Sequence, residues 1–154
     1  MTEPVHIKGD ILTPANKPTI VCHQVNCMGI MGAGLANQIR DTYPSVYQHY
    51  HTKCEAEHND IGMLGKIQLV PLPKDFSSIA NLFGQYRYAQ KTNYDAIRSS
   101  LNKLASVMLA TGSQAIVRIP YKMGCGLGSG KWEMITKMRR KAPCFSYGDI
   151  RRYN

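Results

Sequence analysis

Long apolar runs, acidic residues and paired cysteines are scarce in this sequence. No apolar run approaches the roughly 18 residues that a membrane-spanning helix needs, and the first ten residues lack the basic and then apolar layout of a secretory signal. The five cysteines are odd in number and form no C-x-x-C pair, which favours reduced thiols over a disulfide framework. We therefore expect a cytoplasmic protein with no membrane partner and no bound metal or cofactor.

One local cluster qualifies the expectation about metals. His51, Cys54 and His58 would share one face of a helix, because they are spaced by three and four residues. That spacing permits a metal site, but true ligand sets usually show tighter motifs, and a polar helix surface rich in histidine has the same pattern. The second interpretation is favoured.

Only ten acidic residues oppose 19 basic ones, which gives a net charge of +9. A positive field concentrates polyanions such as nucleic acids, and also nucleotides that carry a diphosphate. The chain nevertheless contains no aromatic–basic RNA-recognition motif and no helix-turn-helix signature. A nucleic-acid patch and an ordinary solvated basic surface therefore both remain open.

Strand-like and helix-like segments alternate along the chain, which predicts an α/β layer structure with a mixed sheet. The length of 154 residues favours one domain over residues 1–154, which we expect to be monomeric. Strands are predicted at 5–12 (a first strand or a strand pair), 19–25, 65–70, 78–83 and 115–119, with a last one at 144–147 or 150–153. Helices are predicted from Leu35 to Tyr43, over 45–57, from a capping box at 92–95 to Gly112, and from Lys131.

Two glycine-rich loops each lie between a predicted strand and a predicted helix, at residues 28–34 and 123–130. Such loops fall at the carboxyl edge of an α/β sheet, where ligands usually bind. Glycine lets backbone N–H groups turn towards an anion, and the helix N-terminus adds a partial positive charge. Neither loop has the G-K-[ST] arrangement of a phosphate loop, and the first does not fit G-x-G-x-x-G. The pair predicts a diphosphate site.

Three segments resemble the ligand-binding motifs of macrodomains, the ADP-ribose-binding family that processes ADP-ribose 1''-phosphate. They are residues 8–11 (KGDI), 25–36 (VNCMGIMGAGLA) and 119–128 (IPYKMGCGLG), and they occur in the order that the family has. The sequence is most similar to the branch that holds ADP-ribosyl-glutamate glycohydrolases and ADP-ribose 1''-phosphate phosphatases. The resemblance implies a three-layer α/β/α fold with a mixed central sheet of about six strands. It also implies ADP-ribose or a derivative as the ligand, with ADP-ribosylated protein as a further partner.

The resemblance also implies roles for individual residues. Asp10 would accept a hydrogen bond from the adenine amino group, and Asn26 would hold the distal ribose through its amide. Without the loops, an Asp after Gly and an Asn after a strand would both be read as turn formers. The implied ligand-binding set is Asp10, Ile11, Asn26, Gly29, Ile30, Met31, Gly32, Ala33, Gly34, Leu35, Phe83, Gly124, Cys125, Gly126, Leu127, Gly128, Ser129 and Gly130.

The chain departs from the glycohydrolases at two positions. It has Gln85 where they carry a nucleophilic lysine, and Gly128 where they carry an aspartate, which argues against a lysine-dependent glycohydrolase. Phosphatase or deacylase chemistry needs only an oriented water, with Asn26 as the catalytic residue that fixes the ribose and N–H groups that stabilise charge. His23 is either a second catalytic residue or a satisfied core histidine.

Three functions remain open. The first is hydrolysis of ADP-ribose 1''-phosphate or O-acyl-ADP-ribose. The second is non-catalytic reading of ADP-ribose or ADP-ribosylated protein, and the third is nucleic-acid binding through the basic surface. We rank hydrolysis first, because a compact domain without a fused effector makes sense as an enzyme for a small molecule.

Overall fold

The computed structural model describes residues 5–7, 9–72, 77–120, 123 and 150–153. Within them, six strands form one sheet in the order β1-β6-β5-β2-β4-β3. All neighbouring strands are parallel except β3 and β4, which are antiparallel, so the predicted mixed sheet is confirmed. The strands are β1 (Val5–Ile7), β2 (Thr19–Val25), β3 (Ile67–Pro71), β4 (Ser77–Phe83), β5 (Ile116–Pro120) and β6 (Ile150–Tyr153).

Helices pack on both faces of this sheet. They are α1 (Gly34–Thr42), α2 (Pro44–Ala56) and α3 (Tyr94–Thr111), and a short 3₁₀ helix covers Ile61–Met63. Pro44 is the first residue of α2, where its missing N–H costs no helical hydrogen bond. Gly112 ends α3 in the left-handed conformation, with φ of 64°, as the sequence predicts.

The alternation of side chains along β2 divides the core into two clusters. Ile20 and Cys22 face α3, whereas Val21 and Val25 face α1 and α2. α3 contributes four apolar residues spaced by three or four positions to the first cluster, and all four are buried. The three-layer α/β/α arrangement is therefore confirmed. The four residues are Ile97, Leu101, Leu104 and Met108.

Three local predictions need correction. The first strand ends at Ile7, because Asp10 starts a turn in which its carboxylate accepts from Leu12 N at 2.9 Å. α3 is capped by Asn93, whose Oδ1 accepts from Ala96 N at 3.0 Å, while the predicted cap Thr92 is buried. β3 begins at Ile67 rather than at residue 65.

Of the two positions predicted for a last strand, 150–153 is observed, whereas 144–147 lies outside the described residues. The predicted helix from Lys131 and the loop residues 124–130 also lie outside them. None of the helices in the described ranges is long and apolar enough to cross a membrane.

Candidate functional site

The first glycine loop belongs to the segment 26–33 that joins the carboxyl end of β2 to α1, and it packs against α2. Gly29 in this loop has a φ of 75°, which L side chains rarely adopt. A Cβ at this position would lie 2.9 Å from His51 Nδ1 and 3.4 Å from Cys54 Cβ. The loop backbone therefore lies directly against α2, and only glycine fits there without displacement.

The N-terminus of α1 is open to an anion. Its N-cap residue, Ala33, makes no side-chain capping bond, and the first turn of this fully described helix has no acidic residue. Gly32, Ala33 and Gly34 are exposed, and a Cβ on Gly34 would have no neighbour within 4 Å. N–H groups at such a helix end have no intrahelical partner and lie at the positive end of the helix dipole, so they attract anions.

Asn26 lies beneath the glycine loop and is only 4% exposed. Its Nδ2 donates to Ile30 O at 2.9 Å, and its Oδ1 accepts from Met28 N at 2.9 Å and, at 3.4 Å, from Ile30 N. The hydroxyl of Tyr50 on α2 donates to the same residue, 2.7 Å from Asn26 O and 2.8 Å from Oδ1. Asn26 thus holds the loop in shape, and Tyr50 holds Asn26.

The remaining contacts between α2 and the loop involve one histidine and two thiols. His51 Nδ1 lies 3.1 Å from Gly29 O, and its Nε2 lies 3.2 Å from Glu55 Oε1. Burial raises the pKa of the Cys27 thiol to about 11, with the nearby Cys54 adding to the effect, and burial also raises the pKa of Cys54. Both thiols therefore stay protonated at neutral pH and act as packing groups.

His51 and Cys54 both lie against Gly29, but His58 is not part of α2. His49 Nδ1 contacts Ser45 O at 2.7 Å, and His58 lies beyond the end of α2 with a φ of 54°. No group of three potential ligands is assembled in the part of the chain that the structure describes.

The predicted adenine segment is tied to the sheet by an arginine that the sequence analysis did not single out. Arg118 on β5 is buried, and its Nη1 donates to Ile11 O at 3.0 Å and to Thr13 O at 2.6 Å. Asp10 is exposed and Ile11 is buried. In the sequence, this contact is indicated only by a charged residue inside an apolar strand, because a buried charge needs hydrogen-bond partners.

Residues 84–90 pack beside the first glycine loop. Cys27 N donates to Tyr86 O at 2.9 Å, and Gly84 N donates to Val25 O at 3.2 Å. Gln85 is 8% exposed, and its Nε2 donates to Gln90 O at 2.9 Å, so that side chain stabilises its own turn.

Two of the predicted ligand residues are fully buried in the core. Phe83 and Met31 both have no exposed surface, and the ring of Phe83 lies 6.0 Å from that of Tyr50. Their contact with a ligand stays a prediction. The second-loop residues 124–130 are outside the described part of the chain, so their place at the site also stays a prediction.

His23 has the contacts of a core histidine, one of the two roles left open by the sequence. Its Nε2 lies 2.6 Å from Asn81 Oδ1, and Asn81 Nδ2 donates to Gln68 Oε1 at 3.0 Å. Since Asn81 Oδ1 accepts, His23 carries its proton on Nε2. Burial lowers the pKa of His23 to about 4, which the bond to Asn81 opposes only in part. The ring is therefore neutral, and it has no hydrogen bond to the glycine loop.

No protein-family model matches the chain. An uncharacterised 17.5 kDa protein of Enterobacteria phage T4 is 25% identical over 134 residues, which cover 84% of this chain and 83% of the phage protein. An ADP-ribose 1''-phosphate phosphatase of Saccharomyces cerevisiae is 35% identical over 71 residues. That match covers 46% of this chain and spans only 39% of the yeast protein.

Solved structures give the fold over nearly the whole chain. The macrodomain of Mycobacterium tuberculosis DarG has a TM-score of 0.82 at 24% identity and covers 98% of this chain and 97% of its own. Thermosipho africanus DarTG, solved in complex with ADP-ribose, has a TM-score of 0.76 at 18% identity and covers 90% of this chain and 38% of its own. Strand order, layer arrangement and these superpositions lead to one conclusion: the chain has the macrodomain fold.

Proposed function

We propose that the chain binds ADP-ribose at the carboxyl edge of its sheet and hydrolyses a derivative modified on the distal ribose. The observation that carries this proposal is the exposed, uncapped N-terminus of α1, which directly follows the glycine loop and where Gly32, Ala33 and Gly34 are exposed. The yeast relative named as an ADP-ribose 1''-phosphate phosphatase and the related DarTG structure with ADP-ribose support the choice of ligand. The candidate substrates are ADP-ribose 1''-phosphate and O-acyl-ADP-ribose.

The ligand would lie along the edge of the sheet. Asp10 and Ile11 would meet the adenine, residues 29–35 would surround the diphosphate, and Asn26 would face the distal ribose. Residues 124–130 would complete the site from the second loop. The positive net charge of the chain would favour the approach of the dianionic diphosphate.

In the phosphatase reaction, water attacks the phosphorus of the 1''-phosphate and the bond between phosphorus and the ribose oxygen breaks. The proton of the attacking water passes to that oxygen, which leaves ADP-ribose and inorganic phosphate. Loop N–H groups would stabilise the charge that develops on the phosphoryl oxygens, and Asn26 would orient the ribose. With an O-acyl substrate, water attacks the acyl carbon instead and releases a carboxylic acid. We assign no step to His23, because its ring is buried and bonded to Asn81.

A substitution at Gly34 tests the proposal. Gly34→Glu would put a carboxylate at the N-terminus of α1, where the diphosphate is expected, and we predict that ADP-ribose affinity falls at least about 100-fold. Gly112→Glu is the matched control. Both glycines have a positive φ (56° and 64°) with no atom within 4 Å of an added Cβ, but Gly112 lies at the end of α3, outside the site.

Titration calorimetry with ADP-ribose measures the first effect, and phosphate release from ADP-ribose 1''-phosphate measures the reaction. Binding and release by the wild type and by Gly112→Glu, with neither in Gly34→Glu, is the expected result. Absence of ADP-ribose binding by the folded wild type would overturn the whole proposal. Binding without phosphate release would overturn the phosphatase and direct attention to O-acyl substrates.

A second candidate is a non-catalytic reader of ADP-ribose or of ADP-ribosylated protein. The observation that favours it is Gln85, whose Nε2 donates a hydrogen bond to Gln90 O and which offers no nucleophile. The same incubations separate the two functions, since a reader binds ADP-ribose but leaves both the phosphate and the acyl derivative intact.

A further inference from the structure

The buried hydroxyl of Tyr50, on α2, contacts Asn26, which is itself buried. It lies within 2.8 Å of two acceptors on that one residue, the main-chain oxygen and Oδ1. A phenol has one proton, so the hydroxyl shares it between the two. Burial raises the pKa of Tyr50 far above its usual range, so this hydroxyl keeps its proton and always donates.

These contacts allow only one orientation of the Asn26 amide. Oδ1 faces three donors, namely Met28 N, Ile30 N and the Tyr50 hydroxyl, while Nδ2 faces the carbonyl oxygen of Ile30. In the flipped orientation Nδ2 would face the N–H groups of Met28 and Ile30 and Oδ1 would face the carbonyl oxygen of Ile30, so these three backbone groups would lose their partners. Oδ1 is therefore saturated by the protein.

The side-chain nitrogen of Asn26 has one hydrogen that is available to a ligand. One N–H of Nδ2 donates to Ile30 O, and the other has no hydrogen-bond partner among residues 9–72 and 77–120. With Oδ1 already occupied, the side chain can offer a ligand a donor but no acceptor. A group that binds to Asn26 must therefore present an oxygen lone pair, as a ribose hydroxyl or a phosphate oxygen does.

We propose that Tyr50 is a positioning residue: it fixes the Asn26 amide so that the site presents an N–H donor to an oxygen of the ligand. This proposal rests on the proposed function for the identity of the ligand, since it takes the oxygen to belong to the distal ribose or its substituent. Tyr50 acts through Asn26 and does not itself touch the ligand.

The variant Tyr50→Phe removes only the hydroxyl, and Tyr47→Phe is its matched control. Tyr47 lies three residues earlier on α2, and its ring stacks on His51 and lies under Arg40, but its hydroxyl has no hydrogen bond among the described residues. Calorimetry should compare ADP-ribose with ADP, which lacks the distal ribose. We expect Tyr50→Phe to lower the affinity for ADP-ribose about five- to tenfold, the loss typical of one hydrogen bond.

The comparison with ADP separates positioning from a merely structural effect. ADP affinity should change less than twofold in Tyr50→Phe, and Tyr47→Phe should bind both ligands as the wild type does. Equal losses for ADP-ribose and ADP would overturn the positioning role, because a general weakening of the loop affects both. Unchanged affinity for ADP-ribose would overturn it as well.

A measurement on the free protein keeps this proposal separate from the proposed function. The side-chain amide signals of Asn26 in a ¹H–¹⁵N spectrum, assigned by their loss in Asn26→Asp, should move in Tyr50→Phe and stay in place in Tyr47→Phe. If they do not move in Tyr50→Phe, the contact does not set the amide and the proposal fails. If they move but the wild type binds no ADP-ribose, the proposed function and the assigned ligand fail, while the fixed orientation of Asn26 is supported.

Discussion

His23 makes the stability of the protein depend on pH. Burial lowers its pKa from 6.5 to about 4. Between these two pH values the His23 ring binds a proton in the unfolded chain but stays neutral in the folded chain. The free energy of unfolding is therefore unaffected by His23 above pH 6.5, and it falls by about 3 kcal/mol in all as the pH is lowered towards 4. Thermal unfolding between pH 4 and 7.5 measures this loss.

The variant His23→Gln isolates that contribution, because glutamine keeps an amide donor for Asn81 and does not titrate. Carboxylates also titrate near pH 4, but they are common to both proteins and cancel in the difference. We expect the free energy of unfolding of the variant to vary less between pH 6.5 and 4 than that of the wild type. Parallel pH profiles would mean that His23 is accessible to protons in the folded state.

The chemistry of single residues was easier to predict than their partners. Asn26 is identified by its place at the end of a strand before a glycine loop, a local pattern. Its contact with Tyr50, and that of Arg118 with Ile11, join residues 24 and 107 positions apart. Such contacts depend on how the layers stack, and side-chain periodicity carries no information about which buried partner a polar group meets.

At the scale of elements, the close contact between the glycine loop and α2 makes Gly29 sensitive to the smallest substitution. Gly29→Ala adds a Cβ 2.9 Å from His51 Nδ1 at a φ of 75°, so it combines left-handed strain with a collision. We expect a loss of stability of about 2 kcal/mol or more and a weaker affinity for ADP-ribose. Chemical denaturation measures the first effect and calorimetry measures the second.

Gly112→Ala supplies the reference, because it carries the same left-handed strain at a φ of 64° with open space around the new Cβ. We expect it to cost only about 1 kcal/mol. Shortening the obstructing side chain in the double variant Gly29→Ala/His51→Ala should recover part of the loss, a coupling that a double-mutant cycle detects. If the two glycine variants cost the same, the collision contributes nothing.

The bounds of strands and helices were predicted well wherever neighbouring turn or glycine residues mark the end of the segment. β2 is found at the residues expected from its β-branched run and flanking turns, and α3 ends at Gly112 as expected. The first strand was predicted too long, because residues 5–12 still alternate after the turn at Asp10 has begun. Alternation cannot reveal that a carboxylate caps its own turn.

At the scale of the whole molecule, the net charge of +9 is compatible with binding to nucleic acid. The salt dependence of RNA affinity tests that function. If the basic surface binds RNA through its phosphates, the affinity should fall about tenfold or more between 50 and 200 mM salt. We expect ADP-ribose to leave that binding unchanged, because its proposed site is at the glycine loop. Titration of a labelled single-stranded RNA at several salt concentrations, with and without ADP-ribose, gives both quantities. Displacement of the RNA by ADP-ribose would mean that the two share one site.

The order of the strands in the sheet has a consequence for how the protein is made. Within the described residues, β1 pairs only with β6, in a parallel register that joins Val5 to Arg151 and Ile7 to Tyr153. β1 therefore has no partner in this sheet until β6 has been synthesised, whereas β2, β3 and β4 can pair long before. The edge formed by β1 and β6 has the greatest sequence separation in the sheet, so its closure carries the largest loop entropy and is expected to come last in folding.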